Sequence, residues 1–350
     1  MQTFEQLSNK GSLYLLSAIP SAIEIQDCKP AKLAFGHTYA ESSCMRCVNP
    51  SCIKAPLLNS ETLDISFSAD HTRTLCPVNA IHWNEGTGYP EIDKATCIGC
   101  GLCAALCPIG AIHASKNRTH FVVAKQQTNY LYLQSINHQN KGIQVQQLKD
   151  LASIVKSGCY LKESATIIDN LHNRLAQIDA SNQNQFIRNI LISLGCDSYI
   201  RRTGDNSYRM DGIISFSKGK TSGPLEVEFG DDCLSAIRLV LDDIAVLHAR
   251  YGIEKNLQSP LVIFHHMPNM RQGYWQVCID IKKITNIRVR TLTTVALILL
   301  MWNNKKLLES FDSYYFKSRR QIDLRPLLTK AIGRNINAGA SVSSAFRPAK

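Results

Sequence analysis

The residues best equipped for chemistry are the thirteen cysteines, eight of which fall between Cys44 and Cys107. The string Cys97-Ile-Gly-Cys100-Gly-Leu-Cys103-Ala-Ala-Leu-Cys107-Pro108 has the spacing C-x2-C-x2-C-x3-C-P. That spacing lets three thiolates on one curved loop face three corners of a single iron–sulfur cube, while the fourth points away along the following turn. Gly99 and Gly101 suit such a loop, because glycine tolerates positive φ and lets backbone N–H groups approach sulfur. Upstream, Cys44-Met-Arg-Cys47-Val-Asn-Pro-Ser-Cys52 adds three more closely spaced cysteines. Leu75-Cys76-Pro77-Val78-Asn79-Ala80-Ile81 repeats the pattern of Leu106-Cys107-Pro108-Ile109-Gly110-Ala111-Ile112. Zinc also binds C-x2-C pairs, but it needs neither the third closely spaced cysteine nor the Cys-Pro repeat. The odd count, tight spacing and long chain argue against a disulfide framework.

Over roughly residues 40–124 the chain resembles the two-cluster bacterial ferredoxins. The resemblance implies an α+β ferredoxin-like domain with two [4Fe–4S] clusters. Carried over by position, Cys44, Cys47, Cys52 and Cys107 hold one, and Cys97, Cys100, Cys103 and Cys76 hold the other. The first half departs from the family pattern: two extra residues separate Cys47 from Cys52, and Ile53 to Leu75 is inserted before Cys76. A short hairpin is expected after each Cys-Pro, Ala80–Trp83 with Tyr89–Asp93 and Ala111–Ala114 with Phe121–Ala124. Such clusters transfer electrons, sense redox state or staple a fold, and the motif does not choose among these roles. The scattered Cys28, Cys159, Cys196, Cys233 and Cys278 read as small buried hydrophobes.

A second constellation is acidic. Arg209-Met210-Asp211-Gly212-Ile213-Ile214 and Leu225-Glu226-Val227-Glu228-Phe229 read as paired strands. Alternation sends Glu226 and Glu228 to one face and Leu225, Val227 and Phe229 to the other. Clustered carboxylates repel unless a hard cation shares them, and oxygen ligands suit Mg²⁺. Over about residues 183–302 the order of elements resembles the PD-(D/E)xK nuclease core. The resemblance implies an α/β restriction-endonuclease-like domain, a mixed central sheet flanked by helices. It makes Asp211 and Glu226 ligands of Mg²⁺ or Mn²⁺, which would lower the pKa of a water attacking DNA. Glu228 stands where that family usually has Lys, so the site is either a variant or a degraded one. Lys218 and Lys220 on the hairpin loop are alternative cations. His265-His266 ends a strand near this edge and reads first as structural.

The elements that must position these groups follow from periodicity. Helices are expected over Leu148–Lys156, Ala165–Ile178, Gln185–Leu194 and Asp232–Tyr251, the last with Leu234, Ile237, Leu241, Ile244 and Leu247 inward and a stop at Gly252. Strands are expected over Ser198–Arg202, Ser207–Phe216, Leu225–Phe229, Leu261–His265 and Tyr274–Ile281, with a turn at Gly219–Gly223. The chain of 350 residues then divides into an extension (1–39), the cysteine domain (40–124), a Gln- and Asn-rich connector with helices (125–182), the acidic core (183–302) and a basic C-terminal region (303–350).

Charge is concentrated at one end. Residues 281–350 hold fourteen Lys and Arg against three acids, an excess equal to the +11 of the whole chain. Such a block is either a solvated tail or a surface for an anionic partner, commonly nucleic acid. Tyr314, Tyr315 and Phe316 beside Lys317, Arg319 and Arg320 fit base stacking or ordinary packing equally. The polar start, Met1 to Lys10, and the short apolar run Val295 to Trp302 point to a cytoplasmic protein with no secretory signal and no membrane association. The expectation is an iron–sulfur protein with a nuclease-like domain acting on DNA. The alternatives are a ferredoxin-type electron carrier with a redox partner, or a non-catalytic nucleic-acid binder.

Overall fold

A computed structural model describes residues 34–37, 52–54, 67–85, 89–93, 95–106, 112–116, 119–121, 159–205, 209–216, 221–303, 305–307, 314–318, 322–336 and 338–349. Cys44, Cys47, Cys107, Lys218, Lys220, the 126–147 connector and the helix expected over 148–156 lie outside the described residues.

The cysteine-bearing part is built from short elements. β2 (Ile81–Asn84) and β3 (Tyr89–Ile92) form the first hairpin, with Ile81 opposite Ile92. The helix α1 (Leu102–Leu106) carries Cys103. β4 (Ile112–Lys116) and β5 (Thr119–Phe121) form the second hairpin. Both hairpins follow a Cys-Pro, as the repeat predicts. β1 (Ala34–His37), in the segment expected as an extension, adds antiparallel to β4 with Ala34 opposite Ser115.

The C-terminal part is a mixed five-stranded sheet with helices. α2 (Cys159–Leu175) and α3 (Ala180–Ser193) precede β6 (Asp197–Ile200), β7 (Gly212–Phe216) and β8 (Thr221–Glu228), an antiparallel meander. α4 (Cys233–Tyr251) crosses to β9 (Leu261–Phe264), and α5 (Tyr274–Thr285) crosses to β10 (Arg290–Thr293). β8, β9 and β10 run parallel, with Leu225, Leu261 and Arg290 in register. Both crossovers run the same way, which right-handed connection turns into two helices on one face; α4 and α5 pack on each other. Every residue of β7, β9 and β10 is buried, so the sheet is covered on both sides. α6 (Thr294–Trp302) and α7 (Leu324–Ile332) complete the fold.

Local signals explain most boundaries. The Asp232 side chain accepts from Ser235 N at the start of α4, and Gly252 ends it in the left-handed region with its N–H on the Leu247 carbonyl. Gly195, φ 83°, follows the end of α3. Two expectations are corrected. Tyr274–Ile281 is the helix α5, not a strand: its aromatic and β-branched content suggests a strand, but Tyr274, Trp275, Cys278 and Ile281 are buried at helical spacing. Leu241 sits at the exposed edge of α4, because the inward face runs through Ala236, Ile237, Val240, Asp243, Ile244 and Leu247.

The hydrophobic core is continuous between the two parts. Leu75, Ile98 and Leu102 from the cysteine part belong to the same buried cluster as Phe186, Ile190 and Trp302. Among the described residues no helix is long and apolar enough to cross a membrane.

Candidate functional site

The loop after β3 places Cys97 and Cys100 in buried positions with Cys103 half-buried on α1, and the turn before β2 brings up half-buried Cys76. The four thiols line one pocket with Leu75, Ile81, Ile92 and Ile98. Gly99 and Gly101 take φ values of 75° and 80°, which permits the sharp curvature. Asn79 is also left-handed, φ 52°, and its turn lets Ala80 N donate to Cys76 Sγ at 3.2 Å.

Burial pushes the Cys103 thiol well above its ordinary range, and Cys100, Cys97, Cys76 and Cys52 push it further as neighbouring negative charges. Cys100 rises for the same reasons, first burial and then Cys76. Cys76 rises through burial although the N–H groups of Val78 and Ala80 oppose it. Several thiols forced together in an apolar pocket are stable as thiolates only when they share metal charge. The donor set fits an iron–sulfur cube on Cys76, Cys97, Cys100 and Cys103. Buried Cys52 is near this group, whereas the partners expected for it lie outside the described residues.

The C-terminal part holds the cysteine segment from behind. Arg174 Nη1 donates to the Cys97 carbonyl at 2.7 Å, and Trp302 Nε1 donates to the Cys100 carbonyl at 2.8 Å. Asn182 donates to the Pro77 carbonyl at 3.2 Å, and Asn189 to that of Thr74 at 3.0 Å. Buried Arg188 donates to the carbonyls of Asp70 and Thr72 at 3.2 and 2.7 Å. These side chains pair with loop carbonyls and tie the cysteine segment to α2, α3 and α6.

The acidic constellation forms where β7 starts and β8 ends. Asp211 accepts from Asn184 Nδ2 at 2.8 Å and from Val227 N at 3.0 Å. Glu226, 4% exposed, faces Asp243, 1% exposed, and among the described residues Glu226 Oε1 and Asp243 Oδ2 have no hydrogen-bond partner. Burial raises the Glu226 carboxyl far above the carboxylate range, and the charges of Asp211 and Asp243 raise it further. Burial also raises Asp243, which shares a hydrogen bond with Glu226. One proton therefore stays on the pair at neutral pH.

Glu228 is placed differently from its expected role beside Glu226. It is half-exposed, and its carboxylate turns to accept from Gly230 N at 2.6 Å in the connection to α4. The acid that joins Glu226 instead is Asp243, which sequence reading missed. The available signal was an Asp on the apolar stripe of α4, three residues after Val240 and four before Leu247. Of the aromatic trio, Tyr314 is fully buried and Phe316 lies edge-on to Trp275 at 5.4 Å. Tyr315 has the Arg288 guanidinium 6.0 Å from its ring centre.

Residues 90–113 match the 4Fe-4S binding domain family. An uncharacterized ferredoxin of Methanocaldococcus jannaschii is 35% identical over 77 residues, 22% of this chain and 36% of the relative. The hydrogenase-2 operon protein HybA of Escherichia coli O157:H7 is 30% identical over 73 residues, 21% of this chain and 16% of that one. A tetrathionate reductase subunit of Archaeoglobus fulgidus is 38% identical over 68 residues, 19% of this chain and 23% of that one. The chain thus spans about a third or less of the length of these curated relatives. No solved structure matches the chain significantly.

Proposed function

We propose that the chain is a ferredoxin-type electron-transfer protein, with one [4Fe–4S] cluster on Cys76, Cys97, Cys100 and Cys103 and a second on Cys44, Cys47, Cys52 and Cys107. The carrying observation is the convergence of four thiols in an apolar pocket on a loop whose glycines adopt positive φ. The relatives support it, being named as a ferredoxin, a hydrogenase-operon protein and a reductase subunit. Such a cluster supplies a one-electron redox couple tuned by burial and hydrogen bonding. This chain's own residues bind through sulfur, keep water away with Leu75, Ile81, Ile92 and Ile98, and fix the loop carbonyls through Arg174 and Trp302. Iron and sulfide analysis of anaerobically purified protein, then stopped-flow electron exchange with a reduced viologen, tests the reading. About eight iron atoms per chain and reversible bleaching are expected. One zinc per chain without iron would end it.

A second reading is favoured by the Asp211–Glu226–Asp243 cluster: a metal-dependent phosphodiesterase of the PD-(D/E)xK type. The order α3, β6, β7, β8, α4, β9 supports it, with Asp211 at the head of β7 and Glu226 on β8. Two buried carboxylate oxygens without partners among the described residues fit a Mg²⁺ ion, which would polarise a phosphodiester and its attacking water. Asn184 would hold Asp211 in place, and the basic C-terminal region would bind the phosphate backbone of DNA. Single- and double-stranded DNA and RNA are incubated with Mg²⁺ or Mn²⁺ beside an Asp211→Ala/Glu226→Ala control. Cleavage lost in the control is expected on this reading; identical behaviour of the two proteins leaves electron transfer.

A further inference from the structure

Three histidines converge where α2 meets the end of β9. His172 comes from α2, and His265 and His266 follow β9 directly. The His172 and His265 rings stack with centroids 4.3 Å apart. The His266 ring meets His172 edge-on at 4.7 Å and His265 at 4.3 Å. One ring nitrogen from each residue lies within 4.8 Å of the others.

Among the described residues, the two buried rings lack hydrogen-bond partners. His172 is 3% exposed and, among the described residues, neither of its ring nitrogens has a hydrogen-bond partner; His265 is 5% exposed and its Nδ1 likewise has none among them. Buried polar atoms are nearly always paired, and a structural histidine normally has a carbonyl or carboxylate to donate to. Here the pocket supplies other imidazoles instead, with Phe229 stacked on the His265 ring at 5.7 Å. His266 is exposed, and its Nδ1 is 2.9 Å from the Ser344 hydroxyl. With Nδ1 donating to that oxygen, Nε2 is the nitrogen left to bind a ligand. A fixed second ring nitrogen is the usual companion of a metal-bound histidine.

We propose that His172, His265 and His266 form a mononuclear site for a borderline divalent transition-metal ion, zinc in the first instance, with a fourth position open to solvent beside His266. Imidazole nitrogen suits zinc, cobalt, nickel and copper rather than magnesium or calcium. Zinc–nitrogen bonds of about 2.0–2.1 Å hold tetrahedral ligands about 3.3 Å apart, so metal binding must turn the His172 and His265 rings, now 14° from parallel, until both lone pairs point at one ion. Burial keeps His172 and His265 neutral, the form that binds metal. Three histidines plus an open position is the arrangement that leaves room for water or substrate on the ion. The site differs from the cysteine pocket in donor type and from the acidic cluster in both donors and metal preference. It stands whichever functional reading holds.

The experiment uses full-length, anaerobically purified protein with its iron content measured beforehand, so that empty cysteine sites are accounted for. CoCl₂ and ZnCl₂ are titrated into wild type, His266→Ala and Ser344→Ala, with visible spectra and total metal analysis. One equivalent of Co²⁺ with tetrahedral ligand-field bands, no thiolate charge-transfer band and displacement by Zn²⁺ is expected for wild type. Loss of an outer partner costs about 10–100-fold in affinity, so Ser344→Ala falls in that range and His266→Ala exceeds it. His266 is exposed, so its replacement leaves the core intact; circular dichroism checks this, and His172→Asn serves as a second variant. Co²⁺ uptake that is unchanged in His266→Ala and His172→Asn, a thiolate charge-transfer band, or no uptake by wild type would each overturn the proposal.

Discussion

At the residue scale, the loop of Cys97, Cys100 and Cys103 was legible because its pattern is local: cysteines three positions apart define a loop, and Gly99 and Gly101 have the positive φ that loop requires. Asp243 and His172 were not legible, because each meets its partners across tens of residues, and only the packing of α4 and α2 brings them in. Glu226 shows what that packing costs. Its carboxyl is held protonated by burial and by Asp211 and Asp243. An acid raised on folding contributes most favourably below its unfolded pKa, near the ordinary 4.5, and that contribution is lost as pH rises toward the folded value. Wild-type stability, measured with chelator present, is thus expected to decline from pH 5 to pH 8. Glu226→Gln keeps the hydrogen bond to Asp243 without the titration and should flatten the decline, gaining on the order of 2 kcal/mol over wild type at pH 8. Parallel urea curves for the two proteins, with the same gap at both pH values, would refute this account. Excess Mg²⁺ should reverse the order if the carboxylates share the ion.

At the scale of elements, the Asp211-Gly212 pair reads from sequence as part of a strand, and the structure sets it at the head of β7. Glycine is needed there for closeness rather than for φ: a Cβ on Gly212 would run into the Tyr199 carbonyl of the neighbouring β6. Gly212→Ala must therefore spread β6 from β7 and carry Asp211 with it. A loss of about 2–3 kcal/mol is expected, typical of an overpacked interior, seen as a lower urea midpoint with an unchanged slope. A loss below about 0.5 kcal/mol, the usual surface range, would mean the strands separate without strain. Elements whose burial pattern is two-sided were harder to read. α6 is buried all round, so Thr294 to Trp302 has no polar face to reveal its period. β10, only four residues long and adjoining it, was missed for the same reason.

At the scale of the molecule, the sequence divides into a cysteine part and an α/β part, but physics joins them. Arg174 and Trp302 donate to carbonyls of the cluster loop, Arg188 and Asn189 hold the strand-like stretch ahead of Cys76, and one apolar core runs beneath both. A ferredoxin-like unit this small buries little surface on its own and relies on its metal as a staple. Here it also relies on α2, α3 and α6. Loss of the cluster should release Cys97–Cys103 and strip those helices of part of their packing, so cluster bleaching and helix melting are expected to coincide on heating. Visible absorbance and far-ultraviolet circular dichroism recorded on one anaerobic sample decide the matter, since coincident probes mark a single cooperative unit. Trp302→Phe, which deletes one hydrogen bond worth about 1 kcal/mol but keeps the aromatic bulk, should lower both transitions together. Two transitions well separated in temperature, with only the bleaching moved by Trp302→Phe, would mean that the α/β part stands alone and that the shared core contributes nothing to its stability.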